Sequence, residues 1–134
     1  MVEIKIAYEG QLRCRAVHGP SGTTLSTDAP TDNMGKGELF SPTDLVATAL
    51  GTCILTIMGI TAQRHAIDLS GATASVTKEM ASGPPRRIGR LTVEVSVPAP
   101  LSDEHKHLLE NAARACPVAK SLHPGVEMVL KFQW

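Results

Sequence analysis

Cys14, Cys53 and Cys116 are the residues of this sequence best suited to covalent chemistry, and their surroundings differ. Cys53 sits inside an apolar run between Thr52 and Ile54, and Cys116 stands directly before Pro117. A thiol becomes a nucleophile only as thiolate. A cysteine in an apolar stretch is more often a small core hydrophobe, and burial raises its pKa and makes it inert unless a cation is brought to it. Cys53 falls about three turns into a predicted helix, where the helix dipole has faded, so the cation must come from another element. Arg13 and Arg15 in an early strand are the candidates. Cys14 alternates with Leu12 and Ala16 and reads as core packing, with an extra reactive thiol as the alternative. The pattern argues against metal: no Cys-x-x-Cys or paired-His spacing occurs, and Cys116 with His123 gives only two of the usual four ligands. His105 and His107 do not share a helix face and read as surface residues. Arg86, Arg87 and Arg90 read as a solvated turn, because no Gly-rich loop leads from them into a helix.

The elements that must position these residues follow from periodicity. Val2 to Tyr8 and Leu12 to Val17 alternate at period two, and Thr23 to Thr27 is a weaker third strand, so the chain opens on an antiparallel meander. Residues 28 to 40 form a turn-rich loop, long enough for a functional or mobile role. Ser41-Pro42 then opens a helix, with Ser as N-cap, Pro at the first helical position and Asp44 at the third. The helix is predicted to run to about Arg64, with Gly51 and Gly59 marking close approach of neighbours. A hairpin follows from Gly71 to Met80 and Ile88 to Val97, turning at Gly83-Pro84-Pro85. Ser102 caps a second helix with Asp103 and Glu104 in its first turn, and Pro117 breaks it after Cys116. A short helical piece to Leu122 and a last strand from Val126 to Trp134 complete the order β-β-β-α-β-β-α-β, an α+β protein around a long buried central helix.

Composition limits the function. The 134 residues are the length of one domain, 1–134. Thirteen basic and thirteen acidic residues leave no net charge, and only four residues are aromatic, so neither a polyanion grip nor a base-stacking platform is expected and nucleic acid is a poor partner. Three cysteines are too few for a disulfide scaffold and no charged-then-apolar leader opens the chain, which reads as reduced and cytoplasmic. Leu45 to Ala62 is eighteen residues without a charge, at the threshold for a bilayer span. Its threonines and glycines, and the alternating strands around it, favour a core helix over a membrane segment. A helix so apolar on all sides needs cover beyond one sheet, and in so short a chain a second copy is the natural supplier.

Two segments then match a known pattern: Ser41-Pro42-Thr43-Asp44-Leu45-Val46-Ala47-Thr48-Ala49-Leu50-Gly51-Thr52-Cys53, and Ala115-Cys116-Pro117-Val118. With the element order, they resemble the OsmC/Ohr family of osmotically inducible and organic hydroperoxide resistance proteins, over essentially the whole chain. The resemblance implies an intertwined homodimer with sites at the interface. It also implies thiol-dependent reduction of organic hydroperoxides without a cofactor, with Cys53 as peroxidatic and Cys116 as resolving cysteine, joined as an intrachain disulfide. The reductant would be a dithiol, either a lipoylated protein or a thioredoxin-like one. The family also pairs an early arginine with a carboxylate after the Ser/Asn-Pro step to hold the thiolate, which points to Arg13, or else Arg15, with Asp44. The sequence departs from the peroxidase subgroups here, since Thr43 follows the proline where they carry glutamate. Asp44 and Cys53 are nine residues apart, which on a regular helix is about half a turn out of phase and roughly 13 Å along the axis. Asp44 would therefore serve a Cys53 across the dimer, or merely cap its own helix. A second reading is a non-catalytic dimer that binds a small apolar ligand or senses oxidation in the same cavity.

Overall fold

A computed structural model describes all 134 residues, Met1–Trp134. Its residues group into two compact units, Met1–Val46 and Ala47–Trp134.

The first unit carries the meander. Strands β1 (Ile4–Gly10), β2 (Arg13–His18) and β3 (Thr24–Thr27) pair antiparallel in sequence order. The register places Ile6, Ala16 and Leu25 in one row and Tyr8, Cys14 and Thr27 in the next. The alternation that begins at Leu12 overstates β2. Gln11 and Leu12 both take positive φ, 52° and 62°, as the two central residues of the tight turn between β1 and β2. Such a turn matches the right-handed twist of the strands it joins, though neither residue is the glycine or asparagine usually found there. The apolar face of β1 is uncovered: Ile4, Ile6 and Tyr8 are 57%, 69% and 67% exposed. Alternation had implied a half-buried strand, but it tells only which face is apolar and not what lies against it.

The loop at 28–40 is closed by its own backbone. Asp28 N–H donates to Phe40 O at 3.1 Å across its base, a single 3-10 turn spans Thr31–Asn33, and Gly35 N–H donates to Pro30 O. A Cβ on Gly35 would fall 1.7 Å from the Ala29 carbonyl oxygen, so only glycine lets the loop fold back this tightly. Helix α1 (Pro42–Arg64) begins at the end of this unit and continues through the second. It starts where the Ser-Pro signal placed it.

In the second unit, β4 (Thr73–Met80), β5 (Ile88–Ser96) and β6 (Glu127–Gln133) form a sheet in sequence order. β4 and β5 pair as an antiparallel hairpin, whereas β6 runs parallel to β5. A parallel pair needs a long crossover, supplied here by α2 (Asp103–Arg114) and α3 (Pro117–Ser121). Central strand β5 buries Leu91, Val93 and Val95, α1 buries Leu50, Ile54 and Met58, and α2 buries Leu109 and Ala113. Each large aliphatic side chain in this core contributes roughly 1.5–3 kcal/mol relative to exposure. Gly51 sets how closely α1 lies on the sheet: a Cβ there would stand 2.7 Å from a Val76 methyl. Gly59, expected to mark a second close approach, has nothing within 4 Å of that position beyond its chain neighbours and the backbone of its own helix. α1 is the one helix long and apolar enough to cross a membrane, and in this fold it is a core helix with one buried face.

Candidate functional site

Helix α1 divides its surface unequally. Ala47, Leu50, Gly51, Ile54, Met58 and Ala62 follow a 3.6-residue period and are buried, while Thr48, Thr52, Thr56 and Ile60 run down the opposite side, exposed. The threonines on that side tie their hydroxyls into the helix: Thr52 Oγ1 donates to Thr48 O and Thr56 Oγ1 to Thr52 O, both at 2.8 Å. A face of methyls and internally satisfied hydroxyls is thereby left to solvent. Cys53 stands at its border and is half-buried.

Cys116 is brought to Cys53 by the end of the next helix. Ser102 caps α2 by accepting from His105 N–H at 3.2 Å, and α2 runs to Arg114. Pro117 cannot donate to the helical ladder, so the chain stops, turns at Cys116 with extended backbone (φ −52°, ψ 127°), and restarts as α3 with Pro117 in its first turn. The break turns the Cys116 side chain inward, where it is fully buried. Its thiol is a close neighbour of that of Cys53, and both cysteines are free. Burial pushes the Cys116 thiol above its ordinary pKa, and the neighbouring Cys53 pushes it further up. The Ala119 and Val118 amides at the start of α3 pull the other way without reversing the shift. The chemical asymmetry is plain: an accessible thiol sits beside a buried one that holds its proton. A nucleophile and a partner able to condense with its oxidised form have this geometry.

In the first unit, the guanidinium of Arg13 bridges Glu38, at a short contact, and Asp28, whose Oδ2 is 3.5 Å from Nη2. Asp28 is fully buried; its Oδ2 accepts from Glu38 N–H at 3.2 Å, and its Oδ1 has no partner. A buried carboxylate of this kind is tolerated only with a cation against it. Sequence reasoning did not point to Glu38 or Asp28. The signal was in the strand register: Arg15 faces Ser26 and Cys14 faces Thr27, so the next position brings Asp28 level with Arg13. Arg15 is exposed. Asp44 closes a capping box, accepting from Ser41 N–H at 2.8 Å while Ser41 Oγ accepts from Asp44 N–H at 3.1 Å. Cys14 is half-buried in the row with Tyr8 and Thr27. No group of three or more His, Cys, Asp or Glu is arranged to hold a metal ion.

Comparison with known proteins gives this geometry a context. A family model described as OsmC-like protein matches residues 35–131. The crystal structure of a protein from Psychrobacter arcticus, assigned to osmotic stress induction and detoxification response, is 45% identical. The similarity covers 98% of this chain and 96% of that one, with a TM-score of 0.93. The organic hydroperoxide resistance protein OsmC of Legionella pneumophila shares the fold at 16% identity, with a TM-score of 0.80 over 100% of this chain and 97% of its own. An organic hydroperoxide resistance protein of Elizabethkingia anophelis does so at 14% identity, with a TM-score of 0.79 over 99% and 95% of the two chains. Among curated proteins, no sequence matches this chain.

Proposed function

The chain belongs to the OsmC-like protein family, and on that premise we propose that it is a thiol-dependent peroxidase for organic hydroperoxides. The observation that carries the reading is the contact between half-buried Cys53 and buried, protonated Cys116. The Cys53 thiolate attacks the distal peroxide oxygen of ROOH. The O–O bond breaks, the alkoxide leaves and takes a proton to become ROH, and Cys53 becomes a sulfenic acid. The Cys116 thiol condenses with it, forming the S–S bond and releasing water. An external dithiol then reduces the disulfide by two exchanges and is itself oxidised to a disulfide. A lipoylated protein or a thioredoxin-like partner fits that last step. The scheme needs no metal or organic cofactor.

Activation of Cys53 requires a cation, and Arg13 is our candidate, held by Glu38 and Asp28. Asp44 is the candidate carboxylate of the same device, serving the Cys53 of a second copy because it stands too far along α1 to serve its own. We further propose that the working form is an intertwined homodimer. Supporting it are the uncovered side of α1 and, in the first unit, the exposed Ile4, Ile6 and Tyr8 of β1. A cytoplasmic setting, where thiols are kept reduced, suits the cycle.

A second reading, a non-catalytic dimer that binds a small apolar ligand or senses oxidation, draws on the engagement of Asp44 in the helix cap. One assay separates them. Reduced wild type, Cys53→Ser and Cys116→Ser are mixed with cumene hydroperoxide and a small dithiol, and peroxide loss is followed. The peroxidase reading expects turnover by wild type, loss of turnover in Cys53→Ser, and impaired cycling in Cys116→Ser. Wild-type consumption no faster than that of Cys53→Ser overturns it.

A further inference from the structure

We propose that Glu38 is a positioning residue, a releasable latch that straps the loop at 28–40 onto Arg13 and withholds the guanidinium from the reactive thiol until ionic strength loosens it. Arg13, Asp28 and Glu38 all belong to the first unit. Nη2 of Arg13 faces two carboxylates, Oδ2 of Asp28 at 3.5 Å and Oε2 of Glu38. The two contacts are unequal. The Asp28 side chain is 1% exposed and its Oδ1 has no partner, so parting it from its cation leaves a buried charge uncompensated. The Glu38 side chain is 57% exposed and exchanges the guanidinium for water at little cost. Asp28 is therefore the fixed end of the cluster and Glu38 the releasable end.

The loop has little else to hold it. Glu38 N–H donates to Asp28 Oδ2 at 3.2 Å, and backbone bonds from Asp28 to Phe40 and from Gly37 to Ala29 close the base. Met34, Leu39 and Phe40 are exposed, so apolar packing does little to keep it shut. With the latch closed, one cation stands between two carboxylates and the cluster carries a net charge of −1, which repels a thiolate. With Glu38 in water, Arg13 and Asp28 balance each other and the remaining donors of the guanidinium are open to another anion. Salt drives this exchange, since it screens an exposed contact far more than a buried one. Only the step from Arg13 to Cys53 rests on the peroxidase reading; the latch stands on the ion cluster and the loop.

The test uses the reduced full chain as wild type, Glu38→Gln and Glu38→Asp, at neutral pH and at about 20 and about 300 mM salt. Two rates are followed: tryptic cleavage after Lys36, which lies in the loop and is exposed, and alkylation of Cys53 by uncharged iodoacetamide, read by peptide mapping. Each cleavage rate is divided by that of a free peptide of residues 31–41 with the same side chain at position 38, which removes the effects of salt and sequence on trypsin itself. Wild type should be cut about threefold faster at the higher salt, the size expected for loss of an exposed ion pair. Glu38→Gln should be cut at the faster rate at both salts, and Glu38→Asp should restore part of the salt response. Alkylation of Cys53 should follow the same order, about threefold faster in Glu38→Gln than in wild type at low salt. Equal cleavage of wild type and Glu38→Gln at low salt, or a salt response that survives in Glu38→Gln, overturns the latch. Faster cleavage of Glu38→Gln with unchanged alkylation of Cys53 overturns the withholding of Arg13. Either result beside intact wild-type turnover of cumene hydroperoxide defeats this inference alone, whereas the expected rates without turnover of any hydroperoxide defeat the peroxidase reading alone.

Discussion

Replacing Gly51 with alanine tests how the thiol-bearing helix is seated. Alanine gains about 0.8–1.0 kcal/mol in helix propensity over glycine. Its Cβ, however, would stand 2.7 Å from the Val76 methyl, against the roughly 3.5–4.0 Å of comfortable carbon–carbon contact. Val76 lies on β4 and faces Val93 across the hairpin, so it has little freedom to move away. Overpacking of this kind costs about 1–3 kcal/mol, which leaves Gly51→Ala about 1 kcal/mol less stable than wild type and lowers Tm by roughly 3–5 °C. Urea unfolding of a double-mutant cycle with Val76→Ala is the assay. With the offending methyl gone, the same Gly51→Ala change should turn stabilising by close to its propensity gain, giving a coupling of roughly 2 kcal/mol. Because Cys53 follows two residues later, Gly51→Ala alone should also slow formation of the Cys53–Cys116 disulfide under a mild oxidant. Equal effects of Gly51→Ala in both backgrounds would refute the reasoning, because the contact with Val76 would then carry no energy.

The Arg13 cluster makes a separate prediction: Arg13→Gln leaves Asp28 buried without a cation and should cost about 3 kcal/mol, and adding Asp28→Asn should recover most of it in urea melts. No recovery would mean that the arginine matters for packing rather than for charge. The buried thiol makes stability depend on pH. Native Cys116 holds its proton more tightly than the unfolded chain does, so its contribution is complete below the ordinary thiol range of about 8.5 and declines as pH rises from there through the raised native value. Wild type should therefore lose stability more steeply than Cys116→Ala as pH rises above about 8.5; parallel curves would contradict the assignment. Gly59 lies on the same side of α1 as Thr52 and Thr56, and a Cβ there would meet nothing outside its own helix backbone within 4 Å. Gly59→Ala should stabilise a lone chain by about 0.8–1.0 kcal/mol, whereas in a homodimer covering that side it should weaken the concentration dependence of Tm. A gain that is the same at all concentrations would argue against the dimer.

Local chemistry was most legible where one residue forces a backbone decision. Ser41-Pro42 and Asp44 announce the start of α1, and Pro117 announces the break that turns Cys116 inward. The pairing of Cys53 with Cys116 was not written in their spacing and entered through family resemblance, since only the packing of α1 against the α2–α3 break joins two such distant positions. Residues whose partners depend on register or on folded loops were harder to read. Arg13 finds Asp28 because β3 pairs with β2 in one register, and finds Glu38 because the loop at 28–40 folds back upon itself. Leu12 continues an alternating pattern yet occupies a turn, because alternation persists wherever residue types allow while the turn is fixed by backbone twist. The parallel placement of β6 has no local signature at all; it follows from how α2 and α3 carry the chain back.

The central claim is that Cys53 and Cys116 form one redox unit. Its most direct test is the intact mass of reduced protein after one equivalent of cumene hydroperoxide, followed by peptide mapping without reductant. Wild type should lose the mass of two hydrogens and yield a peptide linked through Cys53 and Cys116, with Cys14 unmodified, while Cys116→Ser should gain one oxygen atom at Cys53. An unchanged wild-type mass, or oxidation that survives intact in Cys53→Ser, would contradict the account.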